Sequence, residues 1–222
     1  MRTSRFWFSA AFVSMWTLVA VPRASATTIP IGIGSFGPGS TLTHFTGLAL
    51  GTEVNGLTVD GILFQYSLGN GSVAIGVGPN TTNNINQPAI VSNPGANNSG
   101  VLTMTFPSLV DTFGYGYALQ GTGTILNGTT LSLFDGATPV GSLSFNAMPD
   151  LVVPGGFAGI RSTIPFNRVE VTFNSVSAAA FALDNIRRGP TVAAVPEPTT
   201  LVLLGTGVLS MMIRARARRI KE

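Results

Sequence analysis

Residues 167–174 read NRVEVTFN, and within them Val169, Val171 and Phe173 alternate with Glu170, Thr172 and Asn174. Successive side chains of a β-strand point to opposite faces, so this stretch has one apolar face and one polar face. A helical period would scatter the same residues around a cylinder. The stretch therefore predicts a half-buried strand. Residues 61–67, GILFQYS, set Ile62, Phe64 and Tyr66 against Leu63, Gln65 and Ser67. Leu63 is itself apolar, so this second strand is expected to be covered on both faces.

Outward from these two stretches, no part of 27–190 sustains a helical period. Strands are expected near 42–49, 57–68, 72–78, 100–106, 111–119, 123–126, 130–135, 138–146, 157–161, 167–174 and 179–187. Asn70-Gly71, Asn127-Gly128 and Asp135-Gly136 each separate strand-like runs and read as turns. Residues 79–99, rich in Asn and Pro, read as one long polar loop. Many short strands without helices predict an all-β body over 27–190, an antiparallel β-sandwich of jelly-roll-like form.

Charge separates this body from the two ends. The chain of 222 residues has a formal net charge of +3, with +3 on residues 1–26, +3 on 191–222 and −3 on 27–190. A nucleic-acid footprint needs Lys and Arg clustered on the folded domain, and a mildly acidic body lacks it, so no nucleic-acid partner is expected. There is no cysteine, which excludes disulfides, thiolate metal sites and cysteine nucleophiles.

The N-terminal end reads as a signal peptide over 1–26. Arg2 and Arg5 form a positive start, Phe6 to Val21 is apolar, and Ala24-Ser25-Ala26 is a small-residue cleavage site. At the other end Leu201 to Ile213 is apolar apart from Thr206 and Ser210. Residues 199–213 are expected to form a single transmembrane helix. Its length of about 22 Å at 1.5 Å per residue falls short of the roughly 30 Å hydrocarbon core, which suits a transient inner-membrane anchor. Arg214, Arg216, Arg218, Arg219 and Lys221 follow within a basic tail, 214–222. By the positive-inside rule that tail is cytoplasmic and the body lies outside.

Between the body and this span, 191–198 forms a linker that ends in Pro196-Glu197-Pro198. Each proline fixes φ and removes an N–H, which keeps the segment extended and accessible. The ordered set of Val195-Pro196-Glu197-Pro198, apolar run and arginine cluster, behind a signal peptide, resembles a PEP-CTERM sorting signal. The residues alone also fit an ordinary tail anchor; their order favours the sorting signal. The resemblance implies processing by exosortase, a membrane-embedded cysteine protease and transpeptidase of Gram-negative bacteria that make exopolysaccharide and biofilm. It further implies export, transient residence in the inner membrane, and then a place at the cell surface or in the extracellular matrix.

Residues 155–186, GGFAGIRSTIPFNRVEVTFNSVSAAAFALDNI, are similar to the closing strands of sandwich domains in PEP-CTERM proteins and to the jelly-roll of carbohydrate-binding modules. That resemblance implies fold more than ligand. In the resembling modules an acid in the last strand often helps to hold Ca²⁺, which would give Asp184, with Asn185, a metal-binding role. The plain reading of Asp184 is a strand-end aspartate that caps a turn.

The remaining chemistry is sparse. Residues 32–37, GIGSFG, match a dinucleotide fingerprint, but Pro38 and Gly39 follow where a helix should start, so a lead-in strand or turn is expected. His44 is the one histidine, and its neighbours place it on a strand. No G-x-S-x-G elbow accompanies it. The body's carboxylates are Glu53, Asp60, Asp111, Asp135, Asp150, Glu170 and Asp184, and no pair announces itself for glycoside hydrolysis. Asp135 is accounted for by its turn and Glu170 by an outward strand face. Residues 113–117, FGYGY, put Phe113, Tyr115 and Tyr117 on one face. Exposed, Tyr115 and Tyr117 would stack on sugar rings; buried, they are core, as in-facing aromatics of sandwiches commonly are. The expected protein is a non-enzymatic, exported surface or matrix protein that associates with exopolysaccharide. A polysaccharide hydrolase and a purely structural, self-associating protein are the alternatives.

Overall fold

The computed structural model describes residues 26–79, 84–93 and 98–190. The rest of the expected signal peptide, including Ala24, lies outside the described residues. So do Pro196, Glu197 and Pro198, the expected span 199–213 and the basic tail. Among the described residues no helix is long and apolar enough to cross a membrane.

Eleven strands account for most of the body: β1 (Thr28–Pro30), β2 (Thr41–Thr43), β3 (Thr58–Val59), β4 (Ile62–Tyr66), β5 (Val73–Gly76), β6 (Ala89–Ser92), β7 (Leu102–Leu119), β8 (Ile125–Asp135), β9 (Thr138–Ala147), β10 (Gly155–Phe173) and β11 (Phe181–Pro190). Every pairing is antiparallel. The GIGSFG stretch holds only a short 3-10 turn, Ile33–Ser35.

Two long strands build both layers. The first half of β7 pairs with β4 and with the end of β10, through Leu63↔Thr105 and Arg168↔Thr105. Its second half pairs with β11 and with the start of β10, through Leu183↔Tyr117 and Ala158↔Tyr115. The register slips between Arg161 and Phe166 and again between Phe166 and Arg168. Pro107, Ser108 and Leu109 bulge out exposed on β7, and Pro165 sits in the facing bend of β10. Neither proline can donate to a ladder, and a bulge is where a strand tolerates one. Strands that bend through bulges form the corners of a sandwich. One layer is therefore β5-β6-β11-β7-β10-β1, and the other is β3-β4-β7-β10-β8-β9, with β2 added to the end of β11.

The inner faces meet through aromatic rings. Phe173 stacks on Phe181 with centroids 4.0 Å apart, and Tyr66 approaches Phe181 at 6.3 Å. Tyr115 meets Phe173 edge-on at 6.5 Å. Val169, Val171 and Phe173 are buried in this core, as the alternation of NRVEVTFN requires.

The structure corrects several boundaries. Leu63 is exposed, so β4 is covered on one face only. The expected 100–106 and 111–119 strands are one element, as are 157–161 and 167–174. Asn127-Gly128 is no hairpin: Asn127 takes φ +49 inside β8, where the register to β9 shifts between Ile125 and Thr129. The polar loop 79–99 contains β6, whose Ile90 is fully buried. Asp135 and Thr138 close a two-residue hairpin, as expected, with Gly136 at φ +57. A side chain resists that left-handed conformation.

Both ends of the described body lie at one end of the first layer. Thr27 bonds to Thr163 beyond the β1–β10 pairing, and Pro190 pairs with Val110. The loops that join β7 to β8, β9 to β10 and β10 to β11 lie at the opposite end. They are tied by Gln120 N–H to Ala180 O and by Asn174 Nδ2 to Leu126 O.

Candidate functional site

The outer face of the first layer is built from small residues. Gly116 and Ala118 of β7, Ala182 of β11, and Ala89 and Val91 of β6 lie side by side across it. Residues 77–79 and 84–88 form a wall over this face. Ile85, fully buried, packs against Ala89, Ala118 and Ala182, and Gln87 Nε2 donates to Gly78 O at 3.0 Å. Between this wall and Val153 lies a groove of about 330 Å³. Ser92 and Gln120 are its polar lining, and none of its lining residues is charged.

Asp184 stands on the same face, opposite Gly116, with 1% exposure. The register between β11 and β7 slips after it, and Asn185, also buried, takes φ +52 in the bulge. Asp184 Oδ2 accepts the Asn86 N–H at 2.9 Å, and Asn185 Nδ2 donates to Asn84 O at 2.6 Å. These two bonds latch the wall to β11. Asp184 Oδ1 and Asn185 Oδ1 are buried without a hydrogen-bond partner, as is Asn84 Nδ2. Burial raises the Asp184 carboxyl above its ordinary value, partly offset by the Asn185 and Asn86 N–H groups and by His44. His44 itself is exposed, beside the buried Thr43 and Phe45.

Two orphaned oxygens, one from a carboxylate and one from an amide, are hard donors of the kind that suits Ca²⁺. In donor type, then, Asp184 and Asn185 fit the cation that the resemblance implies. Among the described residues no three His, Asp or Glu side chains gather around a common point. The other acids are dispersed. Glu53 accepts from Gly71 N–H, Glu170 pairs with Arg168, and Asp150 caps its own loop at Leu151 N–H.

Tyr115 and Tyr117 are core residues, with exposures of 0% and 1%. The Tyr115 hydroxyl lies 2.6 Å from Thr129 Oγ1, and Tyr117 donates to Asn146 O at 2.9 Å. Neither ring presents a face to a sugar, which corrects the stacking role. The glycine alternation puts all three rings on one face, and the facing sheet covers that face, where Tyr115 meets Phe173. Tyr66, the third tyrosine, is buried too.

Comparison with known proteins bears on the chain's end. Residues 194–219 match the family model of the PEP-CTERM protein-sorting motif. This chain carries a PEP-CTERM sorting motif. No curated protein matches the chain. Among solved structures, a variant of a family 29 carbohydrate-binding module aligns at TM-score 0.40 and 9% identity, over 72% of this chain and 98% of that one. A second variant, complexed with cellulohexaose, gives 0.38 and 10%, over 69% and 95%. A further family 29 module gives 0.37 and 10%, over 73% and 97%. The body of the PEP-CTERM chain is an all-β antiparallel sandwich, and likeness at these scores transfers no ligand to it.

Proposed function

We propose that this PEP-CTERM chain is an exported surface or matrix protein whose β-sandwich is delivered by exosortase. The match at 194–219 carries the reading. In it, residues 1–26 direct export, and cleavage after Ala26 frees an N-terminus near Thr27. Residues 199–213 hold the body at the inner membrane for a time, with Arg214, Arg216, Arg218, Arg219 and Lys221 on the cytoplasmic side. Pro196, Glu197 and Pro198 form the recognised segment. Glu197 is the sole acid between Asp184 and Glu222, which gives the enzyme one charge to read. The delivered body then associates with exopolysaccharide as a non-enzymatic component. Asp184 and Asn185 would hold Ca²⁺ in this reading, tying the segment 84–88 to β11 beside the groove.

The test is the intact mass and membrane fractionation of the chain in hosts with and without exosortase. Loss of the tail only where exosortase is present, together with exit from the inner membrane, is the expected result. Glu197→Ala should hold the chain at the membrane in both hosts. An intact, membrane-bound chain in both hosts without that substitution would make the motif a plain anchor and end the proposal.

A further inference from the structure

The ends of a sheet leave backbone N–H and C=O groups without partners, and proteins blunt such edges with charges, prolines, bulges or very short strands. Most sheet ends here are treated in this way. β1 has three residues and β3 has two. The free side of β5 is taken by the chain just before it, through Gly51 N–H to Ile75 O, Ile75 N–H to Thr52 O and Val54 N–H to Val73 O. β9 is different. It runs for ten residues and, among the described residues, pairs with β8 alone. It has no charged residue, and its single proline, Pro139, sits at the start beside the hairpin. From Thr129↔Phe145 to Leu133↔Gly141 its register is unbroken.

We propose that the outer edge of β9 is an interface for a second copy of this chain, whose own β9 adds antiparallel to it about Leu143. Three observations carry this. First, Ser142-Leu143-Ser144 reads the same in both directions, so antiparallel pairing sets each Ser142 against Ser144 of the second copy. Second, the outer face already has a cross-strand row of hydroxyls. Thr130 Oγ1 and Ser144 Oγ lie 2.8 Å apart, and Ser132 Oγ and Ser142 Oγ 3.2 Å apart. The second copy extends that row across four strands, and such Ser and Thr pairs stabilise sheets. On the inner face Leu143 and Phe145 are only partly buried against the core, and a neighbouring strand completes their cover. Third, an uncharged edge meets its own copy without like-charge repulsion, while it offers a charged foreign strand no counter-charge. The contact is isologous and closes as a two-fold dimer, with no free β9 edge left to propagate a fibre.

The absence of cysteine makes the test direct. In the full chain in detergent, the double variant Ser142→Cys/Ser144→Cys is oxidised and examined by non-reducing electrophoresis and peptide mapping. Opposed residues of antiparallel strands lie about 4.5–5.5 Å apart at Cα, within disulfide range. A dimer joined between positions 142 and 144 is expected. In parallel, sedimentation velocity compares the unaltered chain with Ser144→Lys, which places a charge on the exposed face of the edge. The dimer should weaken by about tenfold or more in Ser144→Lys, with an unchanged circular dichroism spectrum that shows the fold is kept. A chain that is monomeric throughout, with no cross-link on oxidation, overturns the proposal. So does a dimer that Ser144→Lys leaves as tight as before, because its contact then lies elsewhere.

Discussion

Tyr115→Phe isolates one atom of the core. Thr129 Oγ1 donates its proton to Thr172 O at 3.1 Å, so in the 2.6 Å contact the Tyr115 hydroxyl is the donor. Burial raises the Tyr115 phenol well above its ordinary value, with Thr129 offsetting part of the rise, so the donor proton is present at any working pH. The substitution keeps the ring and its contacts with Phe113, Tyr117 and Phe173. It removes one buried donor and leaves a lone pair of Thr129 Oγ1 without one. A net hydrogen bond is worth about 1 kcal/mol, and the stranded lone pair raises the cost to about 1–2 kcal/mol. For a body of this size that is a fall in Tm of roughly 2–4 °C per kcal/mol. Urea unfolding followed by circular dichroism measures the loss. A double-mutant cycle with Thr129→Val should return a coupling of about 1 kcal/mol, since each single change removes the same bond. A Tyr115→Phe midpoint equal to wild type, with no coupling, would refute the reasoning. A lost affinity for polysaccharide at unchanged stability would refute it more sharply, because the ring would then face solvent.

Three further outcomes follow from the same core and its latch. Phe173→Ala removes a ring stacked at 4.0 Å on Phe181 and buried between the layers, and should cost about 3–5 kcal/mol in the same urea assay. Asp184 has a raised carboxyl pKa in the folded chain, caused first by burial. Its contribution to stability is thus present below the unfolded value of about 3.9 and is lost as pH rises through the raised folded value. Asp184→Asn should flatten the stability profile across that window, as read by melting temperature against pH. Calcium should raise the melting temperature of the unaltered chain above that window, and should leave the Asp184→Asn variant unmoved.

Much of the sandwich is legible in single stretches. Val169, Val171 and Phe173 declare their face because strand alternation is local. Asp135-Gly136 declares its hairpin because the turn needs only its own residues. The longer elements are harder to read. Pro107 and Pro165 look like breaks, since proline usually ends a strand, and only the paired bulges at the corner let β7 and β10 run through them. β6 is hidden because Ala89–Ser92 is four residues inside an Asn- and Pro-rich stretch, and its strand character comes from β5 and β11 on either side. Asp184 and Asn185 stand out in sequence. Their partners Asn86 and Asn84 are 98 and 101 residues away, and no local pattern points to them. The aromatic stripe Phe113, Tyr115, Tyr117 is visible at once, but which of its faces meets water is decided by the opposite sheet.

The exit of the chain at Pro190 has a mechanical meaning. A pull applied there runs along the axis of β11. That strand is gripped by β7 on one side and by β2 and β6 on the other. Its hydrogen bonds therefore share the load in shear and do not open one after another from the end. A body moored through residues 191–222 would meet drag with a strand held on both sides, and the first layer would act as a clamp against being torn loose.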